Sequence, residues 1–336
     1  MAEEFTYRKA GVDIEKAERS LGRVKQLISE THNERVLKNI GAFGGFYEFP
    51  AGDYKNPVLI ASTDGVGTKL KVAMMMNQHD TVGQDLVNHC IDDIAVCGAA
   101  PLFFLDYFGC GKLDETVYQQ IITGFALACK SAGLPLIGGE TAEMPDFYQA
   151  GDYDLAGTIV GVVNKDKVID GASIKEGDVI IGAASNGLHT NGYSLARKVL
   201  FSRYKPQDFI TEIGNKLGDE LLKIHLNYYP IIKEMTEIFS VKGMAHITGG
   251  GLYKNTIRVV PEGLEPRFDW ESWQRPSIFR LIQETGSVPE PDMQQTFNLG
   301  IGLVFIVDRD QQANFLSYAK KFQLDFFRIG EIVPKS

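Results

Sequence analysis

The chain has 336 residues, 44% hydrophobic and 23% charged, with 43 acidic against 34 basic side chains and a net charge of −9. That length suits about two domains with real cores, and the acidic balance excludes a general nucleic-acid binder. The longest apolar runs, such as Ala99 to Leu105, fall far short of the ~18 residues of a membrane span, so no membrane partner is expected.

In chain order, the acidic start, MAEEF, reads as neither a signal nor a transit peptide, and a cytoplasmic location is expected. Residues 14 to 31 carry Ile14, Ala17, Leu21, Val24 and Ile28 at helical spacing. A glycine- and aromatic-rich loop, NIGAFGGFYEF, spans 39 to 49. A strand, PVLIAS (57 to 62), runs into DGVGTK. Residues 81 to 98 are expected to be helical, with a stripe of Val82, Leu86, Cys90, Ile94 and Cys97. PLFFLDYF (101 to 108) is a strand, and a helix is expected from an Asp114 cap to a stop at Gly133. LPLI is a short strand ending in GGETAEMPD, and 153 to 163 a long one. The turn-rich stretch 164 to 178 marks a domain boundary. VIIGAAS (179 to 185) opens the second half. Helices are expected near 192 to 201, 216 to 226 and 227 to 239, and strands near 243 to 247, 299 to 307 and 325 to 331. Strands and helices mixed through both halves imply two α/β or α+β domains, 1–170 and 171–336. The four cysteines show no CxxC spacing and read as core residues of a reduced compartment.

Five segments can carry chemistry. In Asp64-Gly65-Val66-Gly67-Thr68-Lys69 a strand ends in an acid, two glycines, a hydroxyl and a cation. Glycines let backbone N–H groups approach phosphate, Lys69 adds charge, and Asp64 suits Mg²⁺. The same residues also read as a glycine turn with a capping Asp. Asp85, His89 and Asp93, spaced by four, form a polar ridge that faces a cleft or solvent, with Asp92 one position off it. Gly138-Gly139-Glu140 follows a strand as a ligand loop or a hairpin turn. Asp64, Asp93 and Glu140 meeting at one sheet edge would repel without a cation. In the second half, Thr190, Asn191 and Ser194 lie near the N-terminus of one helix and Gly249-Gly250-Gly251 precede another, as anion sites or tight turns. His189 and His246 lie in glycine-rich turns, whereas His32, His79 and His225 read as surface or packing residues. With no GxSxG and no HExxH, the inventory favours phosphates and Mg²⁺ over acyl chemistry.

These segments, in this order, resemble the phosphoribosylformylglycinamidine cyclo-ligase family. The resemblance runs from YRKAGVDI (7 to 14) through GAFGGF, TDGVGTKL, DTVGQDLVNHCIDDI, PLFFLDYFGCGKL, GGETAEMPDFY, LHTNGYSL and AHITGGGLYKN to TFNLGIGLVF (296 to 305). DGVGTK-like and GGE-like elements also recur in selenophosphate synthetase, thiamine-monophosphate kinase and a hydrogenase maturation factor. PLFFLDY with GGETAEMP and HITGGG is more specific to the cyclo-ligases. Leu188 and Asp146 depart from a proline and a glycine common in the family.

The resemblance implies ATP-dependent closure of formylglycinamidine ribonucleotide to aminoimidazole ribonucleotide in purine biosynthesis, with ADP and phosphate released. It implies two α/β domains, the first a mixed sheet that pairs with a second subunit as a barrel in a homodimer, the second sandwich-like. Asp64, Asp93 and Glu140 would hold Mg²⁺ beside ATP. Gly65, Gly67, Thr68 and Lys69 would bind its phosphates, and Asn191, Ser194 and Gly249 to Gly251 would line the cleft. Lys69 and His189 would serve catalysis, His189 by moving protons. The alternatives are a small-molecule kinase, such as one for thiamine monophosphate, or an ATP-binding maturation factor. Reactive cysteines of such relatives have no counterpart before residue 60 or after Cys129.

Overall fold

The computed structural model describes residues 14–335. MAEEF and all but the last residue of YRKAGVDI lie outside the described residues, as do the side chains of Ile14, Ala17 and Leu21. The first half lays down α1 (Ile14–Ser29), β1 (Pro57–Gly65), α2 (Leu70–Met76), α3 (Asp80–Ala95), β2 (Ala100–Cys110), α4 (Glu115–Ser131), β3 (Leu136–Glu143) and β4 (Tyr153–Asn164). Its four strands form one sheet in the order β1-β4-β2-β3. β4 runs antiparallel to both neighbours, and β2 pairs with β3 in parallel across the α4 connection.

Local chemistry explains these elements. The Asp114 carboxylate accepts from the N–H groups of Thr116 and Val117 and starts α4, a cap worth about 1 kcal/mol. α3 and α4 cross where glycine meets glycine: a methyl on Gly124 would stand 2.1 Å from the Asp80 carbonyl oxygen, and one on Gly83 2.4 Å from that of Ile121. α3 thereby settles onto β4 with Val82, Leu86, Cys90 and Ile94 wholly buried. Cys97 lies beyond the helix end and is only partly covered.

β4 is covered on one face within the chain. Tyr153, Leu155 and Ile159 are buried under the helices, while Asp154, Ala156, Thr158 and Val160 face a partly open side. Gly138-Gly139-Glu140 is not a loop after a strand. The three residues lie inside β3, opposite Leu105, Asp106 and Tyr107. The Asp106 carboxylate folds over Gly139, where a methyl would stand 2.1 Å from Oδ1, so glycine is what lets this pair close. Asp146, where the family commonly has glycine, adopts φ 67°, a left-handed conformation that Asp tolerates.

The second half adds β5 (Val179–Ala184), α5 (Tyr193–Leu200), a ribbon of β6 (Phe209–Ile210) and β7 (Asn215–Lys216), α6 (Leu217–Leu221), α7 (Tyr229–Ile238), β8 (Val241–His246) and α8 (Gly251–Thr256). β9 (Leu264–Phe268), α9 (Ser277–Gly286), α10 (Glu290–Thr296), β10 (Ile301–Val307), α11 (Gln312–Ala319) and β11 (Phe326–Pro334) complete it. The sheet order is β8-β10-β5-β11-β9. Alternate residues of β5 and β10 enter opposite clusters: Val179, Ile181, Leu303 and Phe305 meet Met235 and Phe315, whereas Ile180, Val304 and Ile306 meet Leu252 and Trp273. Such strands, covered on both faces, read as continuous apolar runs.

The helix expected over 216 to 226 stops at Leu221. Beyond it the Lys223 carbonyl and the His225 N–H are taken by Lys69 and Asp85. Backbone groups bonded there cannot also serve a helix. One apolar cluster spans both halves, from Val24 and Leu86 to Tyr193, Phe279 and Leu299. Among the described residues, no helix is long and apolar enough to cross a membrane.

Candidate active site

β1 ends at the seam between the halves and delivers Asp64 to α3. Asp64 Oδ2 accepts from His89 Nε2 at 2.8 Å, and Oδ1 accepts from the Gly65 N–H at 2.7 Å. Asp93, one turn further along α3, accepts from Ser62 Oγ at 2.9 Å and from His246 Nδ1 at 2.9 Å. Its other approach is to His89 Nε2 at 3.8 Å. Burial opposes ionisation of both carboxyls. Bonds from His89 to Asp64 and from His246 to Asp93 outweigh it and hold both below the usual range. Burial likewise opposes charge on His89, but Asp64 and Asp93 raise its pKa.

The rim carries the second-half residues expected there. Thr68 Oγ1 lies 3.0 Å from Ser194 Oγ. The Asn191 amide donates to Thr190 Oγ1 at 3.3 Å, and its Oδ1 stands beside Gly249. Asp64, Thr68, Ser194 and Gly249 are exposed, and Asp93 and Asn191 partly so. The structure thus brings Asp64, Gly65, Thr68, Asp93, Asn191, Ser194 and Gly249 together along the seam between the halves. Gly250 and Gly251 turn into α8 at φ 104° and 69°. A methyl on Gly251 would meet the Gln294 carbonyl at 1.8 Å, so that glycine serves packing.

Three sequence expectations are corrected. Glu140 does not join Asp64 and Asp93 within one chain. Its row of the sheet runs Gly65, Ala156, Tyr107, Glu140, three strand spacings or roughly 14 Å across. It also points to the open face, whereas Asp64 points to α3. Lys69 is not a solvent-facing cation. It is wholly buried, with Nζ 2.7 Å from Asp85 Oδ2, and it donates to the carbonyls of His189 at 3.1 Å and Lys223 at 2.6 Å. Burial pushes Lys69 down and Asp85 up; three acceptors for three N–H groups keep the ammonium charged. His189 does not face an opening. Its ring is buried flat against His225, with centroids 4.1 Å apart, and neither ring nitrogen has a partner. Burial holds it neutral, well below the ordinary histidine value.

Two residues that sequence reasoning set aside stand at the centre. His225 is wholly buried; Nδ1 lies 3.3 Å from Thr190 Oγ1 and Nε2 3.0 Å from His246 Nε2. Asp92 is equally buried, accepts from the Tyr228 N–H at 2.8 Å, and sits 3.5 Å from His225 Nε2. Burial keeps His225 neutral and raises Asp92 well above the carboxylate range. Neither has a local sequence signal: Asp92 bonds to Tyr228 across 136 residues, and His225 meets Thr190 and His246 across 35 and 21.

Residues 52–163 match the family model of the AIR synthase related protein N-terminal domain, and 175–336 that of its C-terminal domain. The phosphoribosylformylglycinamidine cyclo-ligase of Pseudothermotoga lettingae is 48% identical over 330 residues, covering 98% of this chain and 97% of that protein. The one from Thermoanaerobacter pseudethanolicus is 49% identical over 331 residues, covering 98% of both. The chain belongs to this family. Solved structures extend the likeness of fold. Thiamine-monophosphate kinase from Stenotrophomonas maltophilia superposes with a TM-score of 0.72 at 17% identity, covering 95% of both chains. The hydrogenase maturation protein HypE in complex with ATP gives 0.63 at 14% identity, covering 95% of this chain and 86% of that one.

Proposed function

We propose that the chain is the ATP-dependent ligase that closes formylglycinamidine ribonucleotide to aminoimidazole ribonucleotide in purine biosynthesis. The observation that carries this reading is the pair of ionised carboxylates, Asp64 and Asp93, beside the hydroxyl rim of Thr68 and Ser194. It stands together with family membership over nearly the whole chain. Carboxylate oxygens of Asp64 and Asp93 come within 4.8 Å of one another, and such oxygens fit Mg²⁺. When bound, Mg²⁺ offsets the charge of the triphosphate and of the phosphoryl group in flight.

The chain's own residues position the reactants. Thr68, Ser194 and Asn191 offer donors to the phosphates. Lys69 acts as a positioning residue: from below it ties the Gly65–Thr68 turn to the second half. The γ-phosphoryl group passes to the formyl oxygen, giving ADP and an iminophosphate. The ribose-bearing nitrogen then attacks the formyl carbon. The carbon–oxygen bond breaks, phosphate leaves with that oxygen, and the nitrogen loses a proton. Phosphate is a far better leaving group near neutral pH than hydroxide.

Residues 1–170 are assigned to nucleotide binding and dimerisation and 171–336 to completing the cleft, in a cytoplasmic homodimer. The open face of the first sheet supports the dimer, presenting Leu59, Ala61, Phe103, Leu105 and Val160 with Leu59 60% exposed. Glu140 on that same face then reaches nucleotide only beside a second copy. The test is ADP release with formylglycinamidine ribonucleotide, with thiamine monophosphate as control. With ¹⁸O in the formyl group, the label is expected in inorganic phosphate. Release driven by thiamine monophosphate alone would make the chain a kinase, and unlabelled phosphate would remove the iminophosphate step.

A further inference from the structure

Beneath the carboxylate rim, three imidazoles converge from three distant segments: His89 on α3, His225 in the stretch after α6 and His246 at the end of β8. One ring nitrogen from each lies within 4.8 Å of the others, and all three residues are buried. The ring centroids stand 5.4, 4.9 and 5.0 Å apart, and the planes meet at 65°, 71° and 69°. Imidazoles splayed about a tetrahedral ion at ~2.1 Å have centroids roughly 5 Å apart and ligand nitrogens about 3.4 Å apart. His225 Nε2 and His246 Nε2 are already 3.0 Å apart.

We propose that His89, His225 and His246 bind one divalent transition-metal ion of the zinc class, pinning the two halves of the chain together. The ligand atoms on His225 and His246 are Nε2, because Nδ1 of each ring is already held. Both nitrogens of His89 have partners, Nδ1 on Thr190 Oγ1 at 2.8 Å and Nε2 on Asp64 at 2.8 Å, so the ion takes Nδ1 in place of the Thr190 hydroxyl. His89 Nε2 is on Asp64, His246 Nδ1 is on Asp93, and His225 Nδ1 is beside Thr190. A carboxylate or hydroxyl on the distal nitrogen is the usual support of a metal-bound histidine, fixing tautomer and ring orientation. Two further buried groups fit a cation here. Asp92 Oδ2 has no hydrogen-bond partner and lies 3.5 Å from His225 Nε2, so an unused oxygen faces the centre. Stacked on His225 is the unpartnered ring of His189. Imidazole nitrogen suits Zn²⁺, Co²⁺ or Ni²⁺ rather than Mg²⁺. The site is therefore distinct in chemistry from the oxygen pair above it, and it does not rest on the ring-closure reading.

The test uses the full chain without an affinity tag. After dialysis against chelator, Co²⁺ is titrated in excess Mg²⁺ and followed by its visible absorption and by elemental analysis. One Co²⁺ per chain, with the intense bands of tetrahedral coordination, is expected. Zn²⁺ displaces it, and the melting temperature rises with Zn²⁺ concentration. His225→Gln is expected to weaken Co²⁺ binding by roughly tenfold or more, and His32→Gln, outside the cluster, to leave it unchanged. The proposal is overturned by absence of stoichiometric Co²⁺, by its displacement with Mg²⁺, or by wild-type binding in both His225→Gln and His246→Gln. Should the variants fail to fold, the wild-type titration and Mg²⁺ competition decide alone.

Discussion

Lys69 carries a sharp consequence for a single side chain. Its ammonium and the Asp85 carboxylate are both wholly buried, and Asp85 also accepts from the His225 N–H. Removing one partner of such a pair leaves the other charge unpaired in the interior. Lys69→Ala is therefore expected to cost about 3–5 kcal/mol of stability, read by urea unfolding. A Lys69→Met, Asp85→Leu double variant is expected to recover only part of that, since it leaves the His189 and Lys223 carbonyls and the His225 N–H without these partners. If Lys69→Ala lost turnover at unchanged stability, the lysine would be acting on phosphate directly. Asp64 behaves differently, because it is partly exposed and its contacts are polar. Asp64→Asn is expected to keep the fold and to impair ATP use most at limiting Mg²⁺. Near-normal turnover there would remove Asp64 from the metal-binding pair.

Among the elements, α10 offers a pH-dependent anchor. Glu290 in its first turn accepts from Arg275 at 2.7 and 3.1 Å and from Gln283 and Gln294 at 2.9 Å. The Arg275 hydrogen bonds lead in holding its pKa at about 2, against an ordinary 4.5. A depressed carboxylate stabilises fully above its unfolded pKa and loses that contribution as pH falls through its folded one. Glu290→Gln is expected to lower stability at pH 7 by less than about 1 kcal/mol, since the pair is partly exposed and screened. That gap is expected to close between pH 4.5 and about 2. Denaturant midpoints at pH 7 and 3 check this, and a gap equal at both would assign the effect to packing.

Elements with a local cause were legible in the chain itself. The period of Val82, Leu86, Cys90 and Ile94 marks α3, and Asp114 marks the start of α4. The apolar runs at 179 to 184 and 301 to 307 mark the two central strands of the second sheet. The rim residues Asp64, Thr68, Asn191 and Ser194 were legible too, because glycine turns and hydroxyls before helices are local features. What stayed hidden depends on distant partners. Gly138 and Gly139 look like a turn until Asp106 is laid against them. Lys69 looks like a free cation until carbonyls 120 and 154 residues away close on it. Asp92, His225 and the blunt end of α6 follow from the same long-range bonding.

At the scale of the whole molecule, the first sheet keeps one partly open face, with Leu59 60% exposed. Its apolar strand residues are expected to pair with a second copy, so light scattering at micromolar concentration should give twice the mass of one chain. Leu59→Asp on the edge strand β1 is expected to yield monomer with the fold retained. A wild-type monomer would leave the face to some other partner.

The bonds from Lys69 to the second half also bear on how the chain is made. Its acceptor at Lys223 lies 154 residues downstream, and at roughly 5–20 residues per second a ribosome needs about 8–30 s to supply it. Throughout that interval Lys69, just before α2, has Asp85 on α3 as a partner but lacks the Lys223 carbonyl, and Asp85 lacks the His225 N–H. The seam side of α3 is therefore expected to stay hydrated until the segment before α7 emerges. A translational pause within that window lengthens the exposure, whereas a pause after α7 costs the nascent chain nothing.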